Sequence, residues 1–368
     1  MSAHYYNPVH SVYGAGALLS LPNLLGSRRA AVVTFPEARA LGLVDRLEHV
    51  LGDRLACVID CIQPNPDVQE LSAIYEDFWR LHPDVEVIVA AGGGSAIDTA
   101  KALMVADDSG RFDALVAGLA GERTFTPTRF KRLIAVPTTA GTGSEVTPWA
   151  TIWDRVRQKK HSLHLPETWP EYAVIDPELM LSLPASVTLQ SGLDALSHAL
   201  EAIWNVNANP ISDTMACEAV HAITAVLPEL MNRPTDLALR GRMALAALQA
   251  GMAFSNTKTA LAHSISYEMT LRYGLPHGIA CSFSLPMVLR GAIGQRPDRD
   301  AVLERALGAP LANAPARLTT FIEALGVKTR FGDYGVSDEE AQQMITHAQG
   351  GARGKNFIGS TPPMETLA

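Results

Sequence analysis

Apolar and polar positions along this chain follow two periods. In the first half, short apolar runs at residues 29–34, 56–60, 85–90 and 132–136 have the length and β-branched content of buried strands. Between them, at 38–51, 67–81 and 96–105, apolar positions recur three and four apart; Leu71, Ile74, Phe78 and Leu81 mark one such face. Strands alternating with helices predict a parallel sheet covered by helices on both faces. From about Leu179 the texture changes. Alanine- and leucine-rich helical patterns fill 189–204, 212–230, 236–255, 257–271, 302–307, 316–325 and 338–347, and few strand-like runs remain. Pro177 and Pro184 punctuate the change. The expected organisation is an α/β domain over residues 1–179 and an all-α domain over 180–368.

Composition narrows the class. A chain of 368 residues with 47% hydrophobic and 18% charged residues can build large cores and does not read as disordered. A net charge of -8 and a pI near 5.8 argue against a nucleic-acid partner, which would want a basic face. No apolar run approaches the roughly 18 residues of a membrane span. The start, Met1-Ser-Ala-His-Tyr-Tyr-Asn-Pro8, lacks the basic and apolar regions of a secretion signal, so a cytoplasmic protein is expected. The four cysteines, Cys57, Cys61, Cys217 and Cys281, include no CxxC pair. They are read as reduced, buried thiols, Cys57 and Cys61 in a buried strand, and no thiolate metal site is expected.

Two glycine-bearing loops carry the first candidate chemistry. The run at 85–90 leads into Ala91-Gly92-Gly93-Gly94-Ser95 and then a helix. A helix N-terminus offers free N–H groups and a positive dipole end, and glycines let a pyrophosphate approach. Alone, the run reads equally well as a tight strand-to-helix turn. A second loop, Pro137-Thr138-Thr139-Ala140-Gly141-Thr142-Gly143-Ser144, follows the run at 132–136. Two such loops at strand ends on one edge of a parallel sheet make a nucleotide-binding crevice.

Four further side chains stand out in apolar helical sequence. Asp194 and His198 are four apart, which puts both on one helix face. His263 heads another apolar helix, and His277 follows it in a Pro-His-Gly turn. Burying such groups unpaired costs several kcal/mol, on the order of 2–7 for each polar group. A divalent cation is the simplest common partner, and three nitrogens with one oxygen suit Fe²⁺ or Zn²⁺.

The motifs Gly92-Gly-Gly-Ser-Ala-Ile-Asp98, Pro137-Thr-Thr-Ala-Gly-Thr-Gly-Ser-Glu145, Asp176-Pro-Glu-Leu179, Gly192-Leu-Asp-Ala-Leu-Ser-His-Ala-Leu-Glu201 and Pro276-His-Gly278 occur in this order. The chain thereby resembles the iron-containing (group III) alcohol dehydrogenase family over nearly its whole length. The resemblance implies a Rossmann-like parallel α/β domain followed by an all-α domain, an architecture shared with dehydroquinate synthase. It implies Asp194, His198, His263 and His277 as ligands of Fe²⁺, with Zn²⁺ open. It also implies Gly93, Gly94, Ser95, Asp98, Thr138, Thr139 and Thr142 as contacts of NAD(H) or NADP(H), with Asn65 and Lys160 beside them. Two departures matter. Where many members carry an aspartate that rejects a 2′-phosphate, this chain has Phe35, so cofactor preference is open. Where many carry a second histidine credited with proton transfer, it has Tyr267, either a proton relay or a packing tyrosine.

The implied activity is hydride transfer between the nicotinamide and a short-chain aldehyde or alcohol. Residues 257–267 and 353–359 look like a subgroup that reduces phosphonoacetaldehyde to 2-hydroxyethylphosphonate. Lys258, Arg272, Arg353 and Lys355 are the cations that could hold a phosphonate or carboxylate, against the alternative of solvated surface charge. Other readings kept open are reduction of maleylacetate or succinic semialdehyde and a non-catalytic binding protein on the same fold. A homodimer or larger homo-oligomer is implied by the resemblance alone.

Overall fold

The computed structural model describes residues 4–157 and 159–360. Its first unit contains the strands β1 (His10–Tyr13), β2 (Ala30–Val33), β3 (Leu55–Ile59), β4 (Val87–Gly92), β5 (Val105–Ala106), β6 (Arg129–Phe130), β7 (Arg132–Pro137), β8 (Trp149–Asp154), β9 (Lys159–His164) and β10 (Tyr172–Ile175). It also contains the helices α1 (Leu21–Leu25), α2 (Leu43–Leu51), α3 (Val68–Leu81), α4 (Gly94–Leu103) and α5 (Phe112–Leu119). Six strands form one parallel sheet in the order β1-β10-β7-β4-β2-β3. The inner strands β2 and β4 are apolar and buried throughout because both sheet faces are covered. Ile88, Ala90, Leu133 and Ala135 pack with Tyr75 and Phe78 of α3 and Ile97 of α4. Val87, Val89, Ile134 and Val136, from the alternate positions, pack with Leu21 of α1 and Leu47 of α2.

The sequence missed β1, β10 and the antiparallel β8–β9 hairpin. β1 is an edge strand with three of four residues exposed, so it carries no apolar run. The reading of Cys57 and Cys61 in a buried strand is corrected. β3 is the opposite edge, paired among the described residues only to β2, every residue in it is half-buried, and Cys61 beyond its end is exposed.

The second unit is helical: α6 (Ala185–Ile203), α7 (Pro210–Asn232), α8 (Leu237–Thr257), α9 (Leu261–Tyr273), α10 (His277–Ser282), α11 (Leu285–Ala292), α12 (Pro297–Leu307), α13 (Ala314–Ala324) and α14 (Asp338–Gly350). Each of residues 192–203 in α6 is buried, which makes that helix the unit's axis. Helices α7, α8 and α10 pack on it. The expected helix at 257–271 is split, because Lys258 takes a left-handed φ of 67° and ends α8 before α9 begins. His277 opens α10 and does not sit in a free turn. Gly278 lets α10 lie against α6: a Cβ there would stand 2.0 Å from the Gln190 carbonyl oxygen.

The two units divide between Ser182 and Leu183, three residues beyond the expected boundary. Residues 4–7 and 140–143 belong to the helical unit although the chain around residues 140–143 belongs to the α/β unit.

Candidate functional site

In the α/β unit, β4 and β7 pair in register to their last residues, Gly92 opposite Pro137, so the two glycine-bearing loops leave the same sheet edge side by side. The sheet order reverses between β2 and β4, the place where nucleotides bind in such sheets. Gly93 is the N-cap of α4 and Gly94 its first residue. Having no side chain, Gly93 leaves the first N–H groups of the helix to an incoming anion. Ser95 Oγ accepts from the Asn65 N–H at 3.1 Å, which joins two of the expected contacts. The Thr138 N–H donates to Gly92 O at 3.0 Å. A Cβ on Gly93 would touch the Thr139 side chain at 3.5 Å. Phe35 packs beside Gly92, 3.4 Å from where its Cβ would be. Thr142 belongs to the helical unit.

Asp98 has a different immediate use. Its Oδ1 accepts from Ser144 Oγ at 2.6 Å and its Oδ2 from the Thr151 N–H at 2.8 Å. Burial raises its pKa above the ordinary range against the pull of Lys101, and Lys160 adds a weaker positive field. Lys101, fully buried, donates to Ser144 O, Ser144 Oγ and Trp149 O at 2.6–2.7 Å. Burial lowers its pKa to about 8, opposed by Asp98 and Glu145. This network pins the second loop to α4. Sequence reasoning missed Lys101; its signal was the i, i+3 spacing from Asp98 on one helix.

In the helical unit, α6, α9 and α10 bring the four expected cation ligands together. His263 Nε2 lies 3.4 Å from Asp194 Oδ1, and the Nε2 atoms of His198 and His277 each lie 3.9 Å from it. Asp194 Oδ1 and His263 Nε2 are buried with no hydrogen-bond partner among the described residues. Oxygen and nitrogen ligands about 2.0–2.2 Å from a tetrahedral ion would stand roughly 3.4 Å apart, so the donors present fit a small divalent cation.

Both inner imidazoles are held from behind. His198 Nδ1–H donates to Gly141 O at 3.2 Å, and its ring stacks on Phe254 at 4.1 Å. His263 Nδ1–H donates to Glu201 Oε2 at 2.7 Å. Each bond directs the Nε2 lone pair at the cluster. Glu201 also accepts from the N–H groups of Ala260, Ala262 and His263, so one buried carboxylate caps α9 and orients its histidine. Burial opposes the charge on Asp194, but the three imidazoles outweigh it and hold the carboxyl below the usual range. Burial likewise opposes a charged His263, yet Cys281, Glu201 and Asp194 raise it well above its ordinary value. His198 goes the other way, lowered by burial to about 4 against the pull of Asp194.

Cys281 is a buried free thiol, as expected, and it stands close to the cluster: ligating atoms of Asp194, His263, His277 and Cys281 all lie within 4.8 Å of one another. Cys281 stands one turn after His277 on α10. A search for paired cysteines cannot see a single thiol placed by helical spacing from a histidine. Burial opposes ionisation of this thiol, but His263 and His277 prevail and lower it to about 7.

The expected substrate cations separate. The Arg353 guanidinium lies over the Tyr267 ring, 5.0 Å from its centroid, and Tyr267 is one turn beyond His263 on α9. Burial lowers Arg353 to about 10, with Glu201 holding it up. Lys258 and Lys355 are exposed. Arg272 is bound up in surface ion pairs with Glu268 at 3.1 Å and Glu340 at 3.6 Å.

Residues 8–177 match the iron-containing alcohol dehydrogenase family, and residues 188–361 match the C-terminal portion of the Fe-containing alcohol dehydrogenase family. The chain belongs to the iron-containing alcohol dehydrogenase family. It is 31% identical to an NAD-dependent methanol dehydrogenase of Bacillus methanolicus over 94% of this chain and 93% of that enzyme. It is 32% identical to a phosphonoacetaldehyde reductase of Streptomyces viridochromogenes over 92% of this chain and 88% of that enzyme. Among solved structures it is similar to the sulfoacetaldehyde reductase of Bifidobacterium kashiwanohense in complex with NAD⁺, with a TM-score of 0.88, 27% identity, and coverage of 100% of this chain and 97% of that one. No helix among the described residues is long and apolar enough to cross a membrane.

Proposed function

We propose that this protein is a cation-dependent, nicotinamide-linked reductase of a short aldehyde with an anionic head, phosphonoacetaldehyde to 2-hydroxyethylphosphonate being the leading pair. The observation that carries the reading is Arg353, a partly desolvated cation stacked on Tyr267 one turn from His263. A phosphonate held by a guanidinium there is a strong, charge-assisted contact. The likeness to both a phosphonoacetaldehyde and a sulfoacetaldehyde reductase supports the same chemistry.

In this proposal Asp194, His198, His263 and His277 hold Fe²⁺ or Zn²⁺. Gly93, Gly94, Ser95, Thr138 and Thr139 cradle the dinucleotide, with Asn65, Lys160 and Thr142 as further contacts, while Asp98 acts by fixing the loop. When bound, the cation polarises the substrate oxygen and the nicotinamide supplies or accepts the hydride. The chain does the rest. Glu201 and Gly141 keep two imidazoles in one tautomer, Arg353 fixes the anionic end, and the Tyr267 hydroxyl holds the proton exchanged with the product oxygen. With Phe35 in place of an acid, NADP(H) is accepted alongside NAD(H). A homodimer or larger assembly belongs to the same proposal.

The test is a steady-state comparison of phosphonoacetaldehyde, succinic semialdehyde and propanal with both cofactors, for the wild type and Arg353→Ala. Loss of a charged hydrogen bond of about 1.5–3 kcal/mol predicts a KM for phosphonoacetaldehyde raised roughly 10- to 100-fold. The KM for propanal should move by less than about 2-fold, since removing a charge remote from a neutral ligand forfeits little. Equal losses on both substrates would remove the anion pocket. The relatives acting on methanol and 1,3-propanediol favour a neutral alcohol as the second reading, marked by propanal outperforming both acids.

A further inference from the structure

We infer that Asn205, Asn207 and Asn356 are positioning residues that clamp a strained turn at 257–259 and so set the place of the His263 imidazole in the cation site. The inference rests on the cation-centre reading above and adds the device that delivers one of its ligands.

The turn joins α8 to α9, just ahead of His263. At its centre Lys258 has φ 67° and ψ 170°, a backbone region essentially reserved for glycine. Holding a side chain there disfavours the turn by roughly 5- to 150-fold, and such a conformation persists only where its surroundings over-determine it. Thr257, Thr259 and Ala260 are buried, so the carbonyls of the turn need partners within the protein. Three side-chain amides supply them in chain order. Asn207 Nδ2 donates to Thr257 O at 3.1 Å, Asn205 Nδ2 to Lys258 O at 3.0 Å and Asn356 Nδ2 to Thr259 O at 2.9 Å. The Thr257 hydroxyl also donates to Lys258 O, at 3.1 Å. Asn205 Oδ1 accepts from the Asn207 N–H and Nδ2 at 3.0 and 3.2 Å, which fixes the way the Asn205 amide faces. The clamp is itself braced: the Val206 N–H donates to Asn356 O at 2.8 Å and the Ile358 N–H to Trp204 O at 3.3 Å. Immediately after the turn, the N–H groups of Ala260, Ala262 and His263 reach Glu201. Carbonyls held on one side and amides on the other leave the chain that leads to His263 no slack. The competing account is that the three amides only satisfy buried carbonyls, with no bearing on the imidazole.

The experiment measures the Zn²⁺ affinity of the full-length protein by competition with a chelator. The variants are Asn205→Ala, Asn356→Ala, Lys258→Gly, and each alanine change combined with Lys258→Gly. Glycine adopts the turn without strain, so Lys258→Gly alone should bind Zn²⁺ within about 2-fold of the wild type. Each alanine variant should bind about 10-fold more weakly, as loss of an outer partner costs a metal site. Adding Lys258→Gly should recover most of that loss, because a turn free of strain needs less holding. Amides that merely satisfied carbonyls would gain nothing from backbone freedom at Lys258. Asn356 is only half-buried, so its single and double variants decide the matter if Asn205→Ala does not fold. Wild-type affinity in both alanine variants, or a loss that Lys258→Gly leaves in full, overturns the clamp and leaves the cation centre standing. A wild type that binds no Zn²⁺ overturns both.

Discussion

Glu201→Gln separates the charge of the carboxylate from its shape. Glu201 is fully buried and accepts four hydrogen bonds: Oε1 from the N–H groups of Ala262 and His263 at 2.6 and 3.2 Å, Oε2 from the Ala260 N–H at 2.8 Å and His263 Nδ1–H at 2.7 Å. Glutamine keeps the volume but replaces one oxygen with an NH₂ group. Whichever way the amide turns, two buried donors then face a donor. At about 1–3 kcal/mol for each unsatisfied group, the helical unit loses roughly 2–6 kcal/mol. If the NH₂ takes the Oε2 position, His263 can relieve one clash only by moving its proton to Nε2, the atom turned to the cation. A protonated nitrogen cannot ligate, so cation affinity should fall by about 10- to 100-fold. Two assays read the two effects: thermal melting of the metal-free protein, and competition with a chelator of known affinity for the cation. A variant that melts like the wild type and binds Zn²⁺ with undiminished affinity would refute the orienting role of Glu201.

Two further perturbations test the scaffold around each half of the chemistry. Buried Glu145 has its pKa raised by burial to about 7, from an ordinary 4.5. The folded state therefore binds more protons than the unfolded one between those values, and stability is fully present below pH 4.5 and lost as pH rises through 7, by roughly 3 kcal/mol. Urea midpoints across that window should fall for the wild type and stay flat for Glu145→Gln; parallel curves would count against it. Gly278→Ala puts a Cβ 2.0 Å from Gln190 O, so α10 must retreat from α6 and take His277 with it. Destabilisation of about 1–3 kcal/mol is expected together with weaker Zn²⁺ binding, and unaltered binding would mean that α10 adjusts without moving the imidazole.

What could be read from the sequence was what lies close along it. Asp194 and His198 announce a shared face by their spacing, and the run 85–90 followed by glycines announces β4 and the start of α4. Glu201 stood in the same quoted stretch, yet its role was invisible because its partners are 59–62 positions away. Cys281 was read as a buried thiol, as it is, but a rule about paired cysteines says nothing of its place one turn from a histidine. Arg272 drew notice for being on the helix of His263, but nine residues at 1.5 Å each carry it about 14 Å along the axis to surface carboxylates. β1 and β10 escaped for a different reason. A four-residue strand at or near an edge needs no long apolar run, since the sheet supplies its partners.

The four residues 140–143 bear on any attempt to dissect this chain. They group with the helices while their neighbours in sequence group with the sheet, and Gly141 supplies the carbonyl that His198 Nδ1 needs. A cut at the visible seam after Ser182 would thus hand the helical fragment an imidazole that keeps its stack on Phe254 but loses the acceptor of its Nδ1–H. The helical piece is thus no self-sufficient cassette, and recombining halves from different relatives must carry that tetrapeptide along with the helices it serves.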